Sequence, residues 1–343
     1  AAGTAIVMME TLNDFGTVDY FAVQTLTTGI FSIWLESYDP GGAAQLALLA
    51  ALIVAGLLGV EKIGRRRARF NKSGRQMAPI QPQPLSSRQG AAVLVYCLVP
   101  IVLGFLSPLL VLMAPVVLDF NLWHDPGLWR AAGHSLALGS LSAGLVVVLA
   151  TIMVLGVRKI SGAWKKSLLT LTTLGYAFPG AVLGLGILIP LAAFDNWLAD
   201  LVFATFRLDP GLLLTGTAGA LIIAYCVRFF AIGVGAAEAG LAVISTNIPL
   251  AASTLGHAPR DVVMNIYQPL MRGSLASAML LVFVDTVKEL PATLLLRPFN
   301  FDTLSTHVYG QASLENFHGS TPAALLIITL SFGAIFLLAK AHR

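Results

Sequence analysis

The chain has 343 residues, of which 57% are hydrophobic and only 11% are charged, with a formal net charge of +4. Soluble domains carry a charge on roughly a quarter of their residues, so this composition excludes an ordinary soluble domain. Charge-free apolar runs of about 20 residues predict an all-α polytopic membrane protein. Barrel strands would instead alternate over about 10 residues.

Taken in chain order, the apolar runs predict about seven full transmembrane helices and one partial helix at the start. Cys97 and Cys226 lie inside such runs, where we expect core residues and no disulfide framework. Pro179 is expected to kink the helix that contains it. The expected spans are 1–13 (partial), 41–60, 90–118, 133–157, 167–193, 212–234, 273–292 and 321–340.

The basic residues predict the orientation of the chain. Lys and Arg are concentrated in segments 61–89 and 158–166, whereas the alternate segments between spans carry mostly acidic residues. Because cytoplasmic loops carry an excess of Lys and Arg, we expect these two segments, the loop 235–272 and the C-terminus in the cytoplasm. Arg228, near the cytoplasmic end of its expected span, is predicted to extend its side chain toward water.

Two stretches that are far apart in the chain have the same layout. Residues 10–16 (ETLNDFG) align with 285–291 (DTVKELP), and, after a three-residue shift, 25–31 (TLTTGIF) align with 303–309 (TLSTHVY). We therefore expect a parallel internal repeat with a pseudo-two-fold axis along the membrane normal. The predicted domains are the C-terminal remnant of a first unit, whose larger part is expected upstream, a basic cytoplasmic linker and a complete second unit: 1–60, 61–89 and 90–343.

Each copy of the repeat places polar and charged residues at the expected outer end of a span, where charge costs less than at mid-membrane. Asp285 and Lys288 are three residues apart and can pair on one helix face. Two interpretations remain open, because these residues either cap and pair a helix end or line the outer mouth of a central pathway. The residues are Glu10, Asn13, Asp14, Asp285, Lys288 and Glu289.

The stretch PLAASTLGHAPRDVVMNIYQPL, within the loop 235–272, predicts a short helix, a glycine turn and a second helix that enters the next span. It resembles the EAA loop of ABC-importer permeases, with Leu250 in place of the glutamate and Gln268 in place of the leucine. Such loops form coupling helices that dock on the ATP-binding subunits. The resemblance therefore implies an ATPase-coupling role for the matching residues Ala251, Ala252, Gly256, Ile266 and Pro269, and His257 is added to this set only as the neighbour of Gly256.

Other stretches resemble ferric-iron ABC permeases that carry two permease units in one chain. They are METLNDFGTVDYFAVQTLTTGIF, GYAFPGAVLGLGILIP, YCVRFFAIG and LVFVDTVKELPATLLLRPFNFDTLSTHVY. The resemblance implies the type I importer permease fold in a bacterial inner membrane and alternating-access import of ferric iron. It also implies a cytoplasmic ABC ATPase dimer and a periplasmic substrate-binding protein as partners, with no nucleic acid.

No enzyme chemistry is expected in this chain. It has no Gly-Lys dipeptide and hence no P-loop, so ATP and Mg²⁺ are expected on the partner subunit and no cofactor here. Six scattered histidines lack a metal-ligand spacing, so no metal site is expected. Gly180, Gly184 and Gly186 are predicted to permit close helix packing.

Three alternatives to a ferric-iron permease remain. The cargo of an ABC permease of this kind can instead be thiamine or another small cation. The other two are a membrane-embedded enzyme, whose motifs are missing, and an ion-coupled secondary transporter. The last would place ionisable groups near mid-span, whereas the charges in this sequence lie at the expected span ends.

Overall fold

The computed structural model describes residues 2–68, 85–158, 160, 162–245 and 247–341. Within these residues the secondary structure is helical, with no β-strand. Seven helices are long and apolar enough to cross a membrane, which confirms the predicted number of full spans. They are Pro40–Val60, Ser87–Leu118, Pro126–Val157, Gly180–Phe206, Ala218–Ala242, Pro259–Val287 and Phe317–Lys340.

The N-terminal part consists of three short helices and one long helix. Thr25 caps the third of them, because its hydroxyl accepts a hydrogen bond from the backbone N–H of Thr28. That helix buries Ile30 and Phe31, and Phe15 joins the same hydrophobic core. The elements are α1 (Ala2–Asn13), α2 (Gly16–Tyr20), α3 (Leu26–Leu35) and α4 (Pro40–Ala68).

The predicted linker 61–89 lies largely outside the described residues. Helix α4 continues to Ala68, the described chain resumes at residue 85, and the next helix begins at Ser87. The residues between, 69–84, are outside the part of the chain that the structure describes. The division into 1–60, 61–89 and 90–343 therefore stays a prediction.

The span Ser87–Leu118 is made of α5 (Ser87–Ile101), a π-helical segment (Val102–Leu106) and α6 (Ser107–Leu118). A short 3-10 helix (Phe120–His124) then leads to α7 (Pro126–Val157). Cys97 on α5 is exposed, so its prediction as a core residue is wrong, whereas Cys226 is half-buried against the core. An apolar run does not distinguish a lipid-facing side chain from a protein-facing one, because both avoid water.

The expected span 167–193 is two helices, α8 (Ala163–Ala177) and α9 (Gly180–Phe206). Pro179 does not kink one helix, as predicted, but stands before the first residue of α9 and separates the two. The residue before a proline is disfavoured in the α region, and Phe178 accordingly has an extended backbone with ψ of 143°. This break places a free helix end inside the bundle.

The remaining helices complete the bundle. Helices α7, α10 and α13 pack together, and Gly233 of α10 permits the close approach, since a Cβ there would lie 2.9 Å from Val146 and Ala150 side-chain atoms of α7. The elements are α10 (Ala218–Ala242), α11 (Asn247–Thr254), α12 (Pro259–Val262), a π-helical segment (Val263–Tyr267), α13 (Gln268–Val287), α14 (Pro291–Leu296), α15 (Leu304–Ser313) and α16 (Phe317–Ala341).

Two expected boundaries around the loop 235–272 are wrong. Helix α10 continues to Ala242, and the apolar helix that ends at Val287 begins at Pro259, so the segment between spans is shorter than expected. Hydropathy marks only the apolar part of a helix, whereas backbone hydrogen bonds extend the helix through flanking polar residues.

Candidate functional site

All six residues predicted for the outer mouth line one cavity of about 760 Å³. It is bounded by the end of α1, the segment between α1 and α2, and the segment between α13 and α14. Two residues that were not predicted for it, Tyr176 of α8 and Arg228 of α10, also contribute. Residues that the sequence alignment matched between the two copies therefore lie in one cavity, although they are about 275 positions apart in the chain, as Glu10 and Asp285 are.

Arg228 is the main correction to the sequence-based prediction. Its side chain is 11% exposed and forms an ion pair with the 7% exposed side chain of Glu289, with Nε 3.0 Å from Oε2. That Nε makes no hydrogen bond of good geometry, so the contact is electrostatic. Nη1 donates a hydrogen bond of 3.0 Å to the carbonyl of Phe178. The side chain therefore contacts protein on two sides and does not extend toward water.

Arg228 also lies deeper than predicted. It is ten residues from the first residue of α10 and fourteen from the last, so about 15 Å and 21 Å of helix flank it. An arginine at the middle of a span costs several kcal/mol unless it is paired. That cost, visible in the apolar run YCVRFF, was the signal in the sequence for a buried partner.

Glu289 is held by backbone as well as by charge. Helix α13 ends at Val287, so Glu289 does not lie on this helix but in the turn before α14. Its Oε1 accepts a hydrogen bond from the backbone N–H of Ala292, at 3.3 Å, in the first turn of α14. Gly180 allows this packing, because a Cβ there would lie 2.5 Å from Glu289 Oε1.

The predicted pair between Asp285 and Lys288 is confirmed, with 2.9 Å between Oδ1 and Nζ. The lysine side chain is 55% exposed, so this pair is more accessible to water than the pair of Arg228 and Glu289. The lining holds four carboxylates, Glu10, Asp14, Asp285 and Glu289, against two cationic side chains, which leaves a formal excess of two negative charges. Among the described residues, Glu10 and Asp14 form no ion pair.

Two hydrogen bonds at Asp14 correspond to two hydrogen bonds at Glu289, its aligned residue in the second copy. The carbonyl of Asp14 accepts from the Thr27 hydroxyl at 2.9 Å, and the carbonyl of Glu289 accepts from the Ser305 hydroxyl at 2.7 Å. The Asp14 carboxylate accepts from the Thr17 N–H at 3.2 Å, as Glu289 does from Ala292. The predicted correspondence of the two stretches is confirmed, whereas the direction of the symmetry axis in a membrane stays a prediction.

The helix caps of the two copies correspond too. The separation in the chain between the two caps is three residues larger than the separation between the aligned charged residues. Thr25 and Thr303 each accept from the N–H three residues later and close a capping box at the start of α3 and α15. Of the three extra residues of the second copy, one lengthens α14 relative to α2, and two lengthen the loop 297–303, between α14 and α15, relative to 21–25. In this loop Phe299 is fully exposed, Asn300 has a φ of 58°, and Arg297 pairs with Asp302.

The predicted coupling loop has the expected helix, turn, helix order. Helix α11 ends in a Schellman motif, in which His257 N–H donates to Ala252 C=O and Gly256 N–H to Ser253 C=O, each at 3.1 Å. Gly256 has a φ of 86°, a conformation that residues with a Cβ rarely adopt. The requirement for glycine at this position is therefore a backbone requirement.

Most of the coupling loop is exposed. Ala251, Gly256, His257 and Pro269 are exposed, Ile266 is half-buried and Ala252 is buried. The apolar side chains of Leu250 and Leu255 also face outward, 63% and 80% exposed. Five of the six predicted residues lie between the end of α10 and the start of α13, and Pro269 lies in the first turn of α13, at the opposite end of that helix from the cavity.

The glycines of α9 behave as predicted at two of three positions. Gly180 meets Glu289 and α14, and a Cβ at Gly184 would lie 2.8 Å from Leu295 Cδ1. Gly186 has no atom within 4 Å of the position of an added Cβ, so its predicted packing role is wrong. Among the described residues no group of three or more His, Cys, Asp or Glu side chains has the geometry of a metal site.

No protein-family model matches the chain. Solved structures show the fold: a chain of a bacterial alginate ABC transporter, in complex with an alginate-bound periplasmic protein, aligns with a TM-score of 0.58 at 15% identity. The alignment covers 73% of this chain and 91% of that one. A second structure, of an ABC transporter involved in alginate import, gives 0.56 at 14% identity, covering 74% and 93%. The fold is that of ABC-transporter permeases.

Similar proteins with assigned names indicate which kinds of ABC permease this chain resembles. The Fe(3+)-transport system permease protein FbpB 2 of Haemophilus influenzae is 26% identical over 99% of this chain, which spans 65% of that protein. A Salmonella typhimurium protein that carries the name 2-aminoethylphosphonate transport system permease protein PhnV is 24% identical over 63% of this chain and 74% of its own length. The chain is thus similar to one Fe(3+)-transport permease along nearly its whole length.

Proposed function

We propose that this chain is part of the membrane subunit of an ATP-driven importer and that its cargo is ferric iron. The observation that carries the proposal is the cavity itself. It is lined by both copies of the repeat and has two more negative than positive charges. The name of the relative from Haemophilus influenzae supports iron as the cargo.

The chemistry of the lining favours a hard cation. Carboxylate oxygens and the phenol of Tyr176 line the cavity, and such oxygen donors are the ligands that hard cations prefer. A phosphonate cargo, as in the name of the Salmonella relative, would meet a net negative surface and be repelled. Because the part of the chain that the structure describes forms no compact ligand group, the cavity fits cargo in transit better than a resident ion.

The exposed loop with Gly256 is proposed to dock on the cytoplasmic ATPase dimer, which would bind ATP and Mg²⁺. Leu250 and Leu255 give this loop an exposed apolar surface, as a docking segment requires. Helix α13 connects the loop to the cavity residues Asp285 and Lys288, so movement at the docking end is transmitted along one helix. A periplasmic binding protein is proposed to deliver the cargo to the opposite side, with the C-terminus in the cytoplasm.

The ion-coupled secondary transporter is the second candidate. The mid-helix position of Arg228 removes the argument that ionisable groups lie only at span ends. The fold nevertheless favours the ABC importer, since the alignments with ABC transporters cover nearly three quarters of the chain. Co-purification of an ATPase with the full-length protein separates the two, and its failure in mild detergent would favour the secondary transporter.

Uptake of radiolabelled ferric iron tests the cargo and the loop together. Cells that lack the native gene express the full-length permease, its Gly256→Val variant or its Gly211→Val variant. Gly211 is the matched control, since its φ of 62° is also positive and its surroundings are also open. We expect uptake to fall at least tenfold in the Gly256 variant alone, and to persist in excess thiamine. Uptake that thiamine abolishes would contradict iron as the cargo.

A further inference from the structure

The ion pair between Arg228 and Glu289 lies where the cavity meets two interruptions of the helices. Glu289 is in the turn between α13 and α14, and Arg228 also binds Phe178 at the break between α8 and α9. Both charged side chains line the cavity and are largely buried. A helix-terminal carbonyl and a buried carboxylate are therefore bound by one guanidinium.

We propose that Arg228 occupies the cation position at Glu289 when cargo is absent, and that a multivalent cation displaces it during passage. This inference deepens the proposed function and rests on it. Oε1 of Glu289 is bound to a backbone N–H, so Oε2, the atom that Arg228 contacts, is the oxygen available to cargo. The step is an exchange of one cation for another at a carboxylate, with no covalent or redox change.

Charge balance explains why the exchange needs a cation. A buried carboxylate without a partner is costly, and an arginine stays protonated at any physiological pH. Glu289 can therefore release the guanidinium only when another positive charge takes its place. The same cavity contains Glu10 and Asp14, which form no ion pair among the described residues. A displaced Arg228 thus has two carboxylates toward which it can turn.

The hydrogen bond from Arg228 to Phe178 connects the binding of cargo at Glu289 to the break between α8 and α9. Its Nη1 binds the carbonyl of Phe178, which follows the last residue of α8. When Arg228 turns away, that carbonyl loses its partner and the break between α8 and α9 is freed. Lys288 does not have this role, because it is more than half exposed and pairs with a residue on its own helix face.

The test uses the full-length permease assembled with its ATPase in proteoliposomes, with ferric citrate as the probe inside a cargo-loaded binding protein. Removing one charge leaves the other buried, so the main variant is the double substitution Arg228→Gln with Glu289→Gln. We expect it to fold, to transport iron at least tenfold more slowly, and to hydrolyse ATP several-fold faster without cargo.

Arg228→Lys separates the two contacts. One lysine nitrogen can pair with Glu289, but it cannot also hold the Phe178 carbonyl. We expect transport within about threefold of the native rate, with cargo-free ATP hydrolysis raised several-fold. Arg130→Gln is the control, since Arg130 is an exposed arginine of α7 outside the cavity, and we expect no change in either rate.

Native transport and native cargo-free hydrolysis in the folded double variant would overturn the inference, because the pair would then serve packing alone. If the double variant does not fold, a native cargo-free rate in Arg228→Lys has the same consequence. Failure of the proposed function would give a different experimental result. In that case the native assembly itself shows no iron uptake, whatever the variants do.

Discussion

The two copies of the repeat share a set of hydrogen bonds, yet among the described residues ion pairs of the carboxylates are found in the second copy and not in the first. Asp14 and Glu289 each accept from a backbone N–H of the next helix, α2 or α14, and from a hydroxyl of the helix after it, α3 or α15. Glu289 has Arg228 as an ion-pair partner, and Asp14 has none among the described residues. The backbone frame is thus common to both copies, whereas the electrostatics are specific to one, so the two properties can be altered separately.

The largest difference between the copies is expected when the carboxylates are removed. Glu289→Ala leaves Arg228 buried without a partner and should lower the free energy of unfolding by about 3–5 kcal/mol. Asp14→Ala removes one hydrogen bond at a partly exposed site and should cost about 1 kcal/mol. Unfolding in detergent, followed by circular dichroism, measures both. Equal losses would show that the ion pair contributes nothing to the difference.

Crowding the ion pair should have the next largest effect. A methyl group from Gly180→Ala would press on Glu289 Oε1, and overpacking of this kind costs about 1–3 kcal/mol. Gly186→Ala is the matched control on the same helix, since its added methyl meets no atom within 4 Å. We expect reduced iron uptake and a lower unfolding temperature for the first variant only. A normal Gly180→Ala protein would argue that Glu289 can shift without loss.

The shared frame predicts equal effects at the two helix caps. Thr25→Ala and Thr303→Ala each remove the hydroxyl that caps the next helix, at a cost of about 1 kcal/mol. The same unfolding measurement applies to both. A cap that matters in one copy but not in the other would contradict the equivalence of the two frames.

The smallest effect is expected at a contact between the copies. The Tyr309 hydroxyl donates to Asp19 Oδ2 at 2.9 Å, and Tyr309→Phe should cost about 0.5–1 kcal/mol. Burial, with the hydrogen bond to Asp19, raises the pKa of Tyr309 above its usual 10.0. A raised pKa means that the contribution is complete below pH 10 and is lost as pH rises through the folded-state value. Native and variant stabilities should therefore differ by a constant amount from pH 7 to 9.

The sequence was sufficient to predict the number of full spans, the helix, turn, helix order within the loop 235–272 and the six residues that line the cavity. Each of these depends on local patterns: apolar run length, a glycine at a turn, or two similar stretches. The role of Arg228 was not predicted, because its partners Phe178 and Glu289 are 50 and 61 positions away. Their approach depends on the break at Pro179, which hydropathy does not show, since the sequence on both sides is equally apolar.

The loop 297–303 is two residues longer than its counterpart 21–25, and this difference matters for a partner protein that approaches this end of the bundle. The two copies are alike around the cavity, but beyond it one copy ends in a short turn and the other in a longer loop with Phe299 at its surface. A two-fold symmetric surface would bind an asymmetric partner protein in two equivalent orientations. Here Phe299 would contact a given patch of the partner protein in one orientation and would not contact it in the reversed orientation. The unequal loops thus make the two orientations of such a partner distinguishable.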